Sequence, residues 1–288
     1  MKTVLIIGIN GFLGSRLAQQ LSNQYKIVGL TRRNTNNIKD KECKIYYRNS
    51  DTIETIFIEN KIDIIIYVAT VYGRKDEPLS SLIESNILLP IKAYELGLKY
   101  NASLFINTDS HFSLANEQPY LNNYTMSKQQ ALEWLKKNIN KCKIVNMIIF
   151  HLYGPNDSPE KFVMTIINDI KNKQKIKLTP GKQVRDFIYI DDVVSAFETV
   201  IKSRNKLLPF SQFEVGSGYP VTIESFVKQL KLILNRGVEL DFGGLPYREQ
   251  EIMYSVSNNR PLVELGWKPV TALEKGLIKT IFASTTYE

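Results

Sequence analysis

Cysteine and histidine are scarce: the 288-residue chain has two of each. Cys43 and Cys142 stand alone, with no C-x-x-C pair, which argues against a disulfide framework and a structural zinc module. Two histidines, His111 and His151, are too few for a His-rich metal centre, so no metal is expected. Long apolar runs are also missing. The best stretch, residues 62–69, is interrupted by Asp63 and falls far short of the roughly 18 residues that a membrane span needs. There is no internal repeat, no low-complexity tract and no linker long enough to separate independent domains. Residues 1–8 run straight into an apolar segment and a glycine turn, unlike a secretory signal with its longer apolar stretch and cleavage site. A cytoplasmic protein without a membrane partner is expected.

What is present is ordinary globular composition, 43% apolar and 23% charged, which excludes a disordered or collagen-like chain. The length suits one large α/β domain with an appended lobe. The net charge of +8 comes from 37 Lys and Arg against 29 Asp and Glu. Its lysines are dispersed and no nucleic-acid-reading motif accompanies them, so nucleic acid is not expected as a partner. A phosphate-bearing small ligand fits the same charge.

Apolar periodicity predicts strands at 3–7, 26–30, 44–47, 63–68, 104–107 and 143–150, with helices at 15–22, 52–59, 80–100 and 124–137. Parallel neighbours need long crossovers, so six strands joined through helices predict an α/β, Rossmann-type doubly wound parallel sheet. The second half is less regular. It predicts strands at 185–190, 213–215 and 238–242, helices at 162–172, 191–203 and 225–234, and a helical tail over 261–282. These form a smaller C-terminal α/β lobe.

Gly8-Ile9-Asn10-Gly11-Phe12-Leu13-Gly14 lies between the first strand and the first helix. Glycines there permit a tight turn and close backbone approach, so the helix N-terminus can face a pyrophosphate. The spacing is G-x-x-G-x-x-G rather than G-x-G-x-x-G, and the plainer reading is a turn that only needs positive φ. Its strand–turn–helix setting favours a dinucleotide. NAD sites usually place a carboxylate at the end of the second strand. Here that strand ends Gly29-Leu30-Thr31-Arg32-Arg33. Two guanidinium groups stand where a 2′-phosphate would sit, which favours NADP(H) and leaves NAD(H) possible. The alternative is a pair of solvated loop charges.

Tyr124-Thr-Met-Ser-Lys128 opens a helix, and residues four apart share a face. A nearby ammonium lowers a phenol's pKa, so the pair suits proton transfer. With the glycine loop, the chain resembles the extended short-chain dehydrogenase/reductase family of NAD(P)-dependent sugar-nucleotide epimerases, dehydratases and reductases. Five further landmarks carry the resemblance in the family's order. They are Asn86 in Ser85-Asn86-Ile87-Leu88, the segment Phe105-Ile106-Asn107-Thr108-Asp109-Ser110, the turn Tyr153-Gly154-Pro155, the run Arg185-Asp186-Phe187-Ile188-Tyr189-Ile190-Asp191-Asp192, and Leu265-Gly266-Trp267-Lys268-Pro269.

The resemblance implies roles. Tyr124 exchanges a proton with the sugar, Lys128 binds the nicotinamide ribose and depresses the Tyr124 pKa, and Thr108 hydrogen-bonds the same oxygen. Cofactor contacts fall on Gly8, Asn10, Gly11, Phe12, Leu13, Gly14, Thr31, Arg32, Arg33, Ala69 and Lys128. Substrate contacts fall on Asp109, Ser110, His111, Arg185 and Arg248. Arg185 meets the diphosphate of a nucleotide-diphosphate sugar, unless it is an ion pair with Asp191 or Asp192. For His111 a plain loop histidine is the favoured reading over a sugar contact or a part in proton transfer. The implied division is a dinucleotide domain over 1–152, with 186–212 returning to it, and a sugar-nucleotide lobe over 153–185 and 213–288. A homodimer is the family's habit.

Departures narrow the reaction. The family's dehydratases carry an Asp–Glu pair after the catalytic Thr, but Ser110 follows Asp109 here. The GDP-fucose synthase type uses a Cys two residues after the Ser or Thr and a His beyond the Tyr-Gly-Pro turn. Ser110 and the His-free stretch 156–165 argue against it. What remains is reduction of a nucleotide-linked 4-keto-6-deoxysugar by NADPH, or 4-epimerisation with NAD. A non-catalytic dinucleotide-binding regulator is the third reading, disfavoured because Thr108, Tyr124 and Lys128 are all kept. Residues 247–253 also resemble the 4-ketoreductases that make CDP- or dTDP-linked deoxysugars.

Overall fold

The first strand is buried along its whole length, as its apolar residues 4–7 require. In the computed structural model the described residues are 1–32, 43–48, 52–74, 77–114 and 121–283. In chain order the first elements are β1 (Thr3–Ile7), α1 (Phe12–Leu21), β2 (Lys26–Thr31), β3 (Lys44–Tyr47), α2 (Thr52–Glu59), β4 (Ile64–Tyr67), α3 (Leu79–Ile83), α4 (Leu89–Lys99), β5 (Leu104–Ser110), α5 (Asn122–Lys137) and β6 (Lys143–Ile149). There follow β7 (His151–Tyr153), α6 (Phe162–Asn172), β8 (Lys175–Leu178), β9 (Val184–Arg185), β10 (Phe187–Tyr189), α7 (Ile190–Lys202) and β11 (Phe210–Val215). The last are β12 (Val221–Thr222), α8 (Ile223–Leu234), β13 (Glu239–Phe242), β14 (Tyr254–Ser255), α9 (Arg260–Glu264) and α10 (Leu273–Ala283).

The main sheet runs β11-β6-β5-β4-β1-β2-β3, and the pairs β1/β2, β1/β4, β2/β3, β4/β5 and β5/β6 are parallel. Strand order reverses between β1 and β4, the switch point at which such sheets open a ligand crevice at the carboxyl ends. This is the doubly wound α/β fold. It has seven strands rather than the six expected, because the weak pattern at 213–215 is the end of a longer edge strand. One face packs against α2 and α4, with Val28, Leu30, Ile65, Tyr67, Ile56 and Tyr94 in a common core.

The expected helix over 80–100 is not uniform. A π turn, Glu84–Leu88, separates α3 from α4. Such a turn holds one residue more than an α turn, and it contains the buried Asn86, which has polar work to do below. The strand expected at 104–107 continues to Ser110, so Thr108, Asp109 and Ser110 belong to the sheet, paired with β6.

The chain divides into two compact units, residues 1–149 with 194–213 and residues 150–193 with 214–288. In the second unit the strand expected at 185–190 is two short pieces, β9 and β10, which join different sheets. The reason is Asp186 between them, fully buried and turned into a polar cluster. Its Oδ1 accepts from Ser217 N (2.7 Å) and Oγ (2.6 Å); its Oδ2 accepts from Gly218 N (3.0 Å), Ser257 N (3.1 Å) and Oγ (2.5 Å). A second carboxylate, Asp192, accepts from Val270 N at 3.1 Å and Thr271 N at 3.0 Å, and its backbone oxygen accepts from Trp267 Nε1 at 3.1 Å. That fixes the Leu-Gly-Trp-Lys-Pro turn.

Candidate active site

The glycine loop sits at the carboxyl end of β1. Gly8 has φ +95°, and a Cβ there would lie 2.6 Å from Ala69 N. At Gly14 a Cβ would lie 2.2 Å from the Gly8 carbonyl oxygen. The turn closes through Gly11 N to Gly8 O at 2.9 Å, and Gly8 N donates to Leu30 O at 2.8 Å, which holds it beside the end of β2. Helix α1 then starts at Phe12 with no side-chain cap on its first N–H groups, leaving those donors to face an anion. This cradle fits the pyrophosphate of a dinucleotide. Leu13 and Thr31 are buried, while Asn10, Phe12 and Ala69 are half-buried around it. Gly14→Ala is expected to weaken dinucleotide binding at least about tenfold and to cost about 1–3 kcal/mol of stability through overpacking. Urea unfolding and a cofactor titration measure the two; an unchanged midpoint would show that α1 can move aside.

Tyr124, in the first turn of α5, is 5% exposed, and Lys128, one turn on, is 2% exposed. Lys128 Nζ donates to Thr108 O at 3.0 Å and lies 5.8 Å from the Tyr67 ring centroid. The ammonium thus has donors beyond its one backbone acceptor, as binding a ribose hydroxyl requires. Thr108 Oγ1 donates to Tyr67 O at 2.8 Å. The Tyr124 phenol hydrogen-bonds with the Ser110 and Thr70 hydroxyls.

Asn86 explains the position of α5. Its amide donates to Val71 O at 2.8 Å and to Ser127 Oγ at 2.9 Å, and its oxygen accepts from Val71 N at 3.0 Å and Thr70 Oγ1 at 3.3 Å. Ser127 Oγ in turn donates to Tyr124 O at 2.7 Å. The π turn, the loop after β4 and the first turn of α5 are therefore tied by one amide. Tyr72, on that loop, packs its ring 5.0 Å from the Tyr124 ring.

Burial sets the proton chemistry. It pushes the Tyr124 phenol well above its ordinary value, with Tyr72 and Asp109 adding to the rise. It lowers Lys128 to about 8, against the pull of Asp109. Burial thus opposes the depression of the phenol expected from Lys128, because a phenolate is costly in a buried site. The phenol is held neutral, the form that donates a proton.

Several expected substrate residues are placed differently. Asp109 is 5% exposed and spent internally: Oδ1 accepts from Ser110 N at 2.8 Å and Ser113 Oγ at 2.6 Å, and Oδ2 from Asn146 Nδ2 at 3.2 Å. His111 is buried, with its ring 4.2 Å from that of Phe112. Ser110 alone of the three is half-buried and against the phenol. In the second unit Arg185 is ion-paired at 2.5 Å, with Glu251 and not with Asp191 or Asp192. Arg248 is exposed. At the end of β2, Arg32 is exposed, while Arg33 lies outside the described residues. Sequence reasoning missed Thr70 and Tyr72, for which no motif gives a signal; only the loop after β4 brings them to Tyr124. No group of acidic, His or Cys side chains that could hold a metal occurs among the described residues.

The profile of the NAD dependent epimerase/dehydratase family matches residues 4–216. The chain belongs to that family. Among relatives of this epimerase/dehydratase-family protein, the CDP-abequose synthase of Salmonella typhimurium is 33% identical over 285 residues, covering 95% of each chain. The dTDP-D-glucose 4,6-dehydratase of Dictyostelium discoideum is 27% identical, over 97% of this chain and 81% of that one. Among solved structures, UDP-glucose 4-epimerase of Thermotoga maritima, with UDP-glucose, has a TM-score of 0.85 at 20% identity, over 99% of each chain. At such identity the likeness speaks for the fold. No helix among the described residues is long and apolar enough to cross a membrane.

Proposed function

We propose that this chain is an NADPH-dependent reductase of a nucleotide-diphosphate 4-keto-6-deoxysugar, acting at the C4 keto group in deoxysugar biosynthesis. The observation that carries the reading is a buried Tyr124 phenol one turn from Lys128, with the nearby carboxylate Asp109 already held by Ser110 N, Ser113 Oγ and Asn146 Nδ2. Dehydration needs an acid and a base across the C5–C6 bond, and Ser110 stands where that Glu would be. A proton donor beside a hydride source is sufficient for ketone reduction. The similarity to a CDP-abequose synthase over nearly the whole chain supports the same class of substrate.

Gly8, Gly11 and Gly14 would hold the cofactor's pyrophosphate, Arg32 its 2′-phosphate and Lys128 its nicotinamide ribose. Bound NADPH supplies a hydride to the carbonyl carbon. Tyr124 gives its phenolic proton to the carbonyl oxygen, and the Lys128 ammonium steadies the phenolate left behind. Ser110 has a hydroxyl at that phenol, whereas the Thr108 hydroxyl proton is directed to Tyr67 O. Arg185 and Arg248 would meet the sugar nucleotide's diphosphate, Arg185 after exchanging its Glu251 partner.

The test is NADPH oxidation with CDP- and dTDP-linked 4-keto-6-deoxyhexoses. One NADPH consumed per sugar, with a C4 hydroxyl formed, is the expected result. Tightly retained NAD, with interconversion of C4 epimers in the absence of added reductant, would instead identify a 4-epimerase.

A further inference from the structure

Strands β2 and β3 run parallel with Thr31 opposite Tyr47. Beyond that pair, Arg48 N donates to Thr31 O at 2.8 Å. Arg32 and Arg48 therefore leave the carboxyl edge of the sheet side by side, on strands about 4.8 Å apart. Two residues earlier, Leu30 and Tyr46 both pack on the same core as Tyr67. Arg32 and Arg48 each follow the last residue of their strand, and Arg48 reaches Glu84, next to the Ser85 whose carbonyl accepts from the Tyr67 phenol. The charges of both act on the Tyr67 phenol, as neighbours at that face would.

We propose that Arg48 is the second arginine of a two-guanidinium clamp, shared with Arg32, for the 2′-phosphate of NADP(H). This rests on the NADPH reading above and names the residue that sequence adjacency hides. The glycine turn lies against the end of β2 through Gly8 N and Leu30 O. A dinucleotide with its pyrophosphate on that turn carries its adenosine ribose toward the end of β2, where Arg32 and Arg48 leave neighbouring strand ends. Two adjacent guanidiniums repel unless an anion lies between or beside them. The carboxylate that pairs with Arg48 is Glu84, and its side chain is 62% exposed against 18% for Arg48. An ion pair with so exposed a partner contributes little, so a phosphate dianion accepting from two planar forks can displace it.

The probes are 2′,5′-ADP and 5′-AMP, titrated calorimetrically into the full-length protein. The wild type is expected to prefer 2′,5′-ADP. Arg48→Gln is expected to weaken 2′,5′-ADP about tenfold or more, the loss of a charge-assisted pair, and to leave 5′-AMP unchanged. Glu84→Gln removes the competing carboxylate and is expected to tighten 2′,5′-ADP alone, which keeps a test open if Arg48→Gln does not fold. A wild type that binds both probes equally overturns the NADPH reading itself. A wild type that prefers 2′,5′-ADP, with Arg48→Gln unchanged or weakened equally for both probes, overturns the clamp and leaves the NADPH reading standing. An unchanged preference in Glu84→Gln counts against the clamp in the same way.

Discussion

Tyr124→Phe is expected to lower kcat for keto reduction by about 10²- to 10⁴-fold, the usual contribution of a positioned general acid. Dinucleotide affinity should be unchanged, because the ring keeps its place against Tyr72 and only the hydroxyl is lost. Burial keeps the phenol protonated across the working range, so the upper limb of the pH profile belongs to Lys128. Its ammonium, lowered to about 8, loses its proton as pH rises through that value. Activity should fall above about pH 8 in the wild type. The stability sign is opposite. The folded pKa lies below the unfolded value near 10.5, so the protonated ammonium opposes folding. Stability rises with pH from about 8 toward 10.5 as that penalty is lifted. Lys128→Met should accordingly be inactive yet at least as stable as the wild type below pH 8. A Tyr124→Phe enzyme with full kcat would remove the proton-donor role. A Lys128→Met protein less stable at pH 7 would show that the ammonium supports the fold.

Asp186→Ala is expected to cost about 3–5 kcal/mol, near the top of the range for single substitutions. The carboxylate accepts from Ser217 N and Oγ, Gly218 N, and Ser257 N and Oγ, at 2.5 to 3.1 Å. Removing it leaves buried or half-buried donors from two separate segments without their acceptor, and each such loss costs about 1–3 kcal/mol before any relaxation. The effect falls below the simple sum because neighbouring bonds are not additive. Asp186→Asn keeps one acceptor oxygen and should lose less. Urea denaturation reads both. A loss under about 1 kcal/mol for the alanine variant would mean that water replaces the carboxylate at little cost.

The Arg-Asp-Phe segment shows why a motif can be legible while its work is not. In sequence it reads as one strand, because Phe187, Ile188, Tyr189 and Ile190 are apolar. In the structure Asp186 breaks it, since a buried carboxylate must turn toward donors that lie 31 and 71 residues away. The region around Asn86 behaves likewise. Its apolar spacing predicts an unbroken helix, and the π turn coincides with an amide that reaches the backbone of Val71 and the hydroxyl of Ser127.

By itself the sequence determined the parallel α/β sheet, the glycine turn between β1 and α1, and the Tyr124–Lys128 pair on one helix face. Each is a local pattern: an apolar run, a backbone freedom, a spacing of four. Tertiary structure alone decided what those residues meet. It added β11 as the seventh strand, gave Asp109 to Ser110, Ser113 and Asn146 and Arg185 to Glu251, and buried the Tyr124 phenol, which opposes the lowering expected from Lys128. It also set Arg48 beside Arg32, sixteen positions apart in sequence, through a strand register that no sequence spacing shows. Burial and cross-strand neighbours are properties of the packed chain, and in this protein they govern both the protonation of the Tyr124 phenol and the surroundings of the arginines.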